Sequence, residues 1–291
     1  MTNDQNRIGI LGATSPVGAC LLSLLIKAGR QVTAFSRRPV AQDDDNVVWR
    51  QLPLPLGNSS SSQMADWICA TPIWVLPDYF SLLESHNAQR VVVLSSTSRF
   101  TKNDSTDPEE QAVALRLADA ETRVQQWAES RGVEWVILRP TLIYGLGQDK
   151  NIVEIARFIR RFGFFPLFGK GNGLRQPIYA EDVASACLAA LRTPYAANRA
   201  YNISGGETLA YRDMVGRVFA GLGRRPRLLT VPLWVFRLAV AMLRRLPRYR
   251  QWSTAMAERM NRDLVFDQAE AARDLAFKPR AFMLSADDLP T

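Results

Sequence analysis

Apolar runs alternate with polar, helix-like stretches along the first half of the chain. Ile8-Gly-Ile-Leu11 reads as a short buried strand, and the glycine-rich stretch Gly12-Ala-Thr-Ser-Pro-Val-Gly18 as the turn that ends it. Leu21, Leu22, Leu24, Leu25 and Ala28 continue one apolar helical face, and Gln31–Ser36 is a second strand. Further strands are predicted at Val47–Trp49, at Ile73–Leu76 with Pro77 ending it, at Arg90–Leu94 and at Val133–Leu138. The serine run Ser59–Ser62 reads as a loop into a short helix, and a long helix runs from Pro108 to about Arg131 with Asp107 as its N-cap. Strands separated by helices at these intervals predict an α/β chain with a doubly wound parallel sheet. Later, Asn151–Arg161 has Ile152, Ile155, Phe158 and Ile159 on one helical face and its arginines elsewhere.

The first turn carries the earliest chemical signal. Its spacing is Gly12-x2-Ser15-x2-Gly18, with a strand before it and a helix after it, the opening unit of a dinucleotide-binding domain. Such a turn gathers backbone N–H groups at a helix N-terminus, which suits a pyrophosphate. Gly12 lets the chain turn and Gly18 lets helix and strand approach. Ser15 stands where a middle glycine is usual, and its hydroxyl could donate to a phosphate. The second strand ends Ser36-Arg37-Arg38, where an acid would select NAD by its ribose hydroxyl. Two guanidinium groups there select the 2′-phosphate of NADP; the plainer alternative is that they solvate a loop. The expected division is a Rossmann domain over 1–145 and a smaller substrate lobe over 146–291, with a segment at 178–203 returning to the first sheet.

Composition narrows the classes. With 291 residues, 47% hydrophobic and 22% charged, the chain suits a globular fold with a sizeable core. Cys20, Cys69 and Cys187 are isolated in apolar sequence, and His86 is the one histidine, so neither a His-rich metal site nor a His-based triad is expected. No apolar export signal is seen, and a cytoplasmic location is expected. The net charge of +8 rests on 31 arginines against 5 lysines. Between Arg224 and Arg262 there are ten arginines and one acid, Glu258. Within that stretch Val231–Leu246 is apolar as well as basic, and its uninterrupted run Leu238–Leu243 is too short to span a bilayer. Two readings stay open for 231–250: a lobe helix with solvated arginines, or a basic helix with Trp234 and Phe236 lying on an anionic membrane. Nucleic acid is disfavoured, since no aromatic–basic alternation accompanies the charge.

From Ser95-Ser-Thr-Ser98 onward the chain resembles the extended short-chain dehydrogenase/reductase superfamily, in its nucleotide-sugar epimerase/dehydratase branch. The resemblance runs through Arg139-Pro-Thr-Leu-Ile-Tyr-Gly145, Gly169-Lys-Gly171, Arg175-Gln-Pro-Ile-Tyr-Ala-Glu-Asp-Val-Ala184, Tyr201-Asn-Ile-Ser-Gly-Gly-Glu207 and Tyr211-Arg-Asp-Met214. It implies that Gly12, Thr14, Ser15, Pro16, Val17 and Gly18 bind pyrophosphate, that Ser36, Arg37 and Arg38 meet the adenosine end, and that Leu76 and Pro77 flank a ribose. By the same resemblance Ser95, Ser96, Pro140, Thr141 and Leu142 lie along the nicotinamide. Thr97 matches the catalytic serine or threonine, and Tyr144 is a candidate acid/base. Arg175 would contact a substrate diphosphate, with Gln176 and Tyr179 beside it, while Phe162–Phe168 resembles a substrate-binding loop. The implied substrate is a small molecule, a nucleotide- or lipid-linked sugar, and the implied dimer contact is the helix at 108–131.

One departure is serious. The family's acid/base is a tyrosine with a lysine four residues later, the lysine favouring the phenolate. Counting back from Ala118-Asp-Ala-Glu121, those positions are Val113 and Leu117, and neither can move a proton. Substitutes near the strand ends are Tyr79, Lys102, Asp104 and Tyr144. Three outcomes follow: an NADP(H)-dependent oxidoreductase or epimerase with a substitute acid/base, an NADP(H) binder acting as sensor or assembly partner, or a vestigial site.

Overall fold

The computed structural model describes residues 7–40, 45–52, 63–103, 105, 107–236 and 254–290. In chain order its first elements are β1 (Arg7–Leu11), α1 (Pro16–Lys27), β2 (Gln31–Ser36), β3 (Val47–Gln51), β4 (Asp66–Cys69), α2 (Phe80–Ser85), β5 (Arg90–Leu94), α3 (Ser98–Thr101), α4 (Pro108–Arg131) and β6 (Glu134–Pro140). The second half adds β7 (Ile143–Tyr144), α5 (Ile152–Phe162), β8 (Phe165–Phe168), β9 (Leu174–Arg175), β10 (Ile178–Tyr179), α6 (Ala180–Arg192), β11 (Arg199–Ile203), β12 (Leu209–Ala210), α7 (Tyr211–Gly221) and β13 (Leu228–Val231). Seven strands make one sheet in the order β11-β6-β5-β4-β1-β2-β3, every neighbouring pair parallel.

The period-2 alternation of the strands sorts their side chains onto two faces. Ile8, Ile10, Val32, Ile68 and Val92 pack under α1 and α6. Leu11, Phe35, Trp67, Cys69, Val91 and Val93 face α4. Chain order and spatial order part after residue 145: α6 packs beside α1, β11 pairs with β6, and Ala271, Leu275 and Phe277 join the same core. A third core, built on Ile155, Ile159, Leu167, Met214, Phe219 and Phe282, belongs to the lobe.

The long helix α4 begins where Asp107 Oδ1 accepts the Glu109 N–H at 2.9 Å and ends at Gly132, whose φ of 66° reverses the chain. The strand expected at Ile73–Leu76 is corrected. The fourth strand is β4, at Asp66–Cys69, in register with β1 so that Ile10 faces Ile68. Ile73–Tyr79 is instead a 3-10 helix that begins after Pro72 and contains Pro77. Proline lacks the N–H that a central strand must donate, and a short helical turn tolerates that loss. Phe165–Phe168, expected as a substrate loop, is β8, paired in parallel with β13. The serine run Ser59–Ser62, Asp104 and residues 237–253 of the basic apolar stretch lie outside the described residues.

Candidate functional site

The carboxyl ends of β1, β4, β5 and β6 open onto one side, and a cavity of about 830 Å³ lies there. Its walls run from Ser15, Pro16 and Val17, past Ser96 and Thr97, to Arg175, Tyr211 and Arg259 of the lobe.

The turn is built by crowding. Gly12 has φ +81°, and a Cβ on it would sit 2.7 Å from Thr71 Cγ2 and 2.8 Å from the Ala70 carbonyl carbon. A Cβ on Gly18 would meet the Gly12 carbonyl oxygen at 2.2 Å. Ser15 caps α1: its Oγ accepts the Gly18 N–H at 3.0 Å and donates to the Ala70 carbonyl at 3.3 Å. The hydroxyl that sequence offered to a phosphate therefore ties the turn to the end of β4. Thr14 is exposed at the tip of the turn. At the end of β2, Ser36 Oγ accepts the Arg38 N–H, and the Arg37 and Arg38 side chains are exposed.

Leu76 and Pro77 do not reach the cavity. Leu76 is wholly buried in the core facing α4, because β4 ends seven residues before it. Ala70, Thr71 and Pro72, which follow β4, line the cavity in their place. Ser95, Ser96, Thr97, Pro140, Thr141 and Leu142 all line it. Thr97 is 5% exposed, and its Oγ1 donates to the Pro140 carbonyl at 3.2 Å. Ser95 Oγ donates to Glu121 Oε1 at 2.5 Å.

Glu121 organises this wall. Its carboxylate is 1% exposed, accepts two bonds from Arg139 Nε at 3.1 and 3.2 Å and one from Nη2 at 2.7 Å, and also pairs with Arg99. The ends of β5, α3 and β6 thus converge on one acid of α4. Sequence had noted Glu121 only as a landmark; an acid inside an otherwise apolar helical face was the available signal.

Leu117, at the position where the resemblance places a lysine, is 3% exposed and forms part of the cavity wall; Val113 is partly buried in the core facing α4. Tyr144 is displaced from the chemistry. It is 1% exposed in the lobe core, edge-on to Phe282 at 4.8 Å, and its hydroxyl accepts the Met283 N–H at 3.3 Å. Burial pushes its phenol up to about 12, and Tyr144 lies outside the cavity wall. Tyr179 is corrected likewise: its ring lies under the Arg280 guanidinium at 4.4 Å, its hydroxyl meets Asp288, and it lies outside the cavity wall. Both tyrosines close residues 280–290 onto the lobe.

Arg175 and Gln176 line the cavity while holding its roof. Arg175 Nη1 donates to the Leu174 and Arg262 carbonyls at 2.7 and 2.8 Å, Nη2 donates to the Arg259 carbonyl, and the guanidinium lies 5.4 Å from the Tyr211 ring centre. Much of its donor capacity is therefore spent on the chain. Gln176 Oε1 accepts the Phe266 N–H, and its carbonyl accepts the Thr141 hydroxyl.

Of the four substitutes for the missing pair, Lys102 is the one among the described residues that lines the cavity. It follows α3 directly, is half-buried, and its amine is held below its ordinary pKa by desolvation and then by the nearby Arg259 guanidinium, with Asp107 opposing. Arg259 itself is paired with Glu110 of α4. Asp149 also lines the cavity: Oδ1 accepts the Asn151 and Ile152 N–H groups, Oδ2 is buried without a partner, and burial raises its pKa. Sequence reasoning missed Arg259, Asp149 and Tyr211 because the spacing between 97 and 259 does not reveal a shared wall.

No described helix is long and apolar enough to cross a membrane, and no cluster of metal-ligating side chains occurs among the described residues.

Residues 78–204 match the NAD dependent epimerase/dehydratase family. The chain is 25% identical over 139 residues to a UDP-glucose 4-epimerase of Vibrio cholerae, covering 48% of this chain and 42% of that protein. It is 34% identical over 114 residues to a 2-alkyl-3-oxoalkanoate reductase of Stenotrophomonas maltophilia, covering 38% of this chain and 34% of the reductase. The match thus spans less than half the length of either relative. A UDP-glucuronic acid 4-epimerase of Bacillus cereus, solved in complex with NAD, superposes with a TM-score of 0.71 at 14% identity, over 97% of this chain and 95% of that one. The parallel sheet and the glycine turn are those of a dinucleotide-binding α/β fold, and within it residues 78–204 are similar to the NAD dependent epimerase/dehydratase family.

Proposed function

We propose that this chain binds NADP(H) and carries out oxidoreductase or epimerase chemistry on a sugar-like or nucleotide-linked small molecule. One observation carries the reading: a single cavity joins the glycine turn to the cationic lobe residues, with Thr97 between them. The turn fits a dinucleotide, because Gly12 and Gly18 let Thr71, Ala70 and the Gly12 carbonyl pack where a Cβ would stand, which closes the chain tightly onto the N-terminus of α1 beside the cavity. Ser15–Gly18 would hold its pyrophosphate at the N-terminus of α1. Arg37 and Arg38, exposed at the end of β2, support the 2′-phosphate and hence NADP over NAD. When bound, the nicotinamide supplies hydride transfer.

The chain's own residues do the rest. Thr97 Oγ1, held by the Pro140 carbonyl, accepts a hydrogen bond from a substrate hydroxyl, or turns to donate to a carbonyl. Leu117 and Leu142 make this part of the wall apolar, which excludes water and strengthens electrostatic contacts there. Lys102 moves the proton at its Nζ, its desolvated amine giving it up more readily than an exposed lysine. Arg259 contributes positive charge opposite an anionic substrate group.

A second reading has its own support. Leu117 in the cavity wall and Val113 beside it replace the family's proton-moving pair, as suits a protein that binds NADP(H) without turnover. Calorimetric titration with NADPH, NADP, NADH and NAD separates the cases. NADP-selective binding that Arg37→Glu/Arg38→Glu weakens far more for NADP than for NAD is the expected result. Equal losses for both cofactors remove the 2′-phosphate assignment, and no binding by the folded, cofactor-free protein removes the dinucleotide reading. Binding without turnover of any sugar nucleotide or carbonyl compound tested selects the second reading.

A further inference from the structure

The lobe carries a surface that the cavity does not use. α5 ends at Phe162, which is 50% exposed and has the Arg161 guanidinium 5.1 Å from its ring centre. The Arg224 side chain donates to the Ile159 and Arg160 carbonyls, so the 224–227 stretch is fastened to the end of that helix. From there β13 runs beside β8, with Leu229 opposite Pro166. Leu229 is 54% exposed and Trp234, just beyond the strand, 69%. Around these apolar groups stand Arg157, Arg160, Arg161, Arg224, Arg225 and Arg227, all exposed. Neither 155–164 nor 222–236 contains an acid, and none of these apolar groups or arginines lines the cavity.

We propose that this surface docks the protein on an anionic lipid bilayer. Exposed apolar side chains on neighbouring elements, rimmed by charge, mark an interaction site rather than ordinary surface. Apart from Glu154, which pairs with Arg157 at 2.7 Å, the charge named at this rim is basic, so the complementary partner is anionic. The centre contains an aliphatic side chain beside an indole and a phenyl ring. Aromatic rings could stack on bases, but Leu229 has nothing to gain from a nucleic acid. An acyl–headgroup boundary takes all three, with tryptophan and arginine at the headgroup level.

The test is sedimentation of the full chain with vesicles of phosphatidylcholine alone and of phosphatidylcholine mixed with phosphatidylglycerol, at low and high salt. Binding to the anionic vesicles only, weakened by salt, is expected. Each basic side chain near such a surface is worth about fivefold in partitioning, so Arg160→Glu/Arg161→Glu/Arg225→Glu should lower it by about a hundredfold or more. Leu229→Ser/Trp234→Ser should lower it by about tenfold at low salt while leaving its salt dependence in place. The substituted side chains are exposed, and unchanged thermal unfolding of the variants verifies the fold. Equal sedimentation with neutral vesicles, or binding that neither set of substitutions alters, overturns the proposal. So does binding of a single-stranded oligonucleotide in place of vesicles, if the arginine variant loses it and Leu229→Ser/Trp234→Ser does not. NADPH titration of the same variants is independent of all these results, so failure here is distinct from failure of the cofactor reading.

Discussion

Single side chains decide most of what this cavity can do. Gly18 is the clearest case. Its missing Cβ is the space that lets the Gly12 carbonyl lie against α1. Gly18→Ala should abolish measurable NADPH binding and destabilise the fold by about 1–3 kcal/mol, read by calorimetry and denaturant unfolding. Lys102 makes a prediction with a sign. Burial and Arg259 hold its amine below the ordinary value of about 10.4. The folded state therefore binds fewer protons than the unfolded state between the folded pKa and that value, and stability rises with pH through the window. Lys102→Met should raise stability at neutral pH, and the gain should vanish above about pH 10.4. If Lys102 moves the proton, the same variant loses turnover by about a hundredfold or more while NADPH affinity holds. A purely structural lysine would give the stability effect alone.

At the scale of elements, the sheet was legible because parallel strands buried on both faces are continuous apolar runs with few competing readings. The glycine turn was legible because close backbone approach restricts residue choice. The fourth strand was misplaced because Trp67-Ile-Cys69 and Ile73-Trp-Val-Leu76 are equally apolar, and register with β1 exists only in three dimensions. The strand-end position of Tyr144 suggests an acid/base and the family resemblance sets Tyr179 beside the substrate, whereas residues 280–290 fold over both. Glu121 belongs to this scale too, since it fastens β5, α3 and β6 to α4. Glu121→Gln leaves Arg139 facing a neutral group at a site where the acid is almost fully buried. The expected cost is about 3 kcal/mol in chemical unfolding, with Thr97 and its neighbours loosened first. A loss within experimental error would mean that solvent or Ser95 already compensates the arginines.

For the whole molecule, the cavity draws on both halves of the chain, so occupancy should be felt globally. NADPH at about a hundredfold over its Kd should add about 2.7 kcal/mol to unfolding, and a lobe that unfolded independently would show a second transition unmoved by ligand. The arginine excess has a further consequence inside the cavity. Of the 5 lysines in the chain, Lys102 and Lys150 line its walls. A protein so poor in amines is readily footprinted: reductive methylation followed by peptide mapping has few sites to resolve. Protection of those two amines, against unchanged modification of Lys27, Lys170 and Lys278, would report occupancy of the cavity by any ligand, before its chemical identity is known.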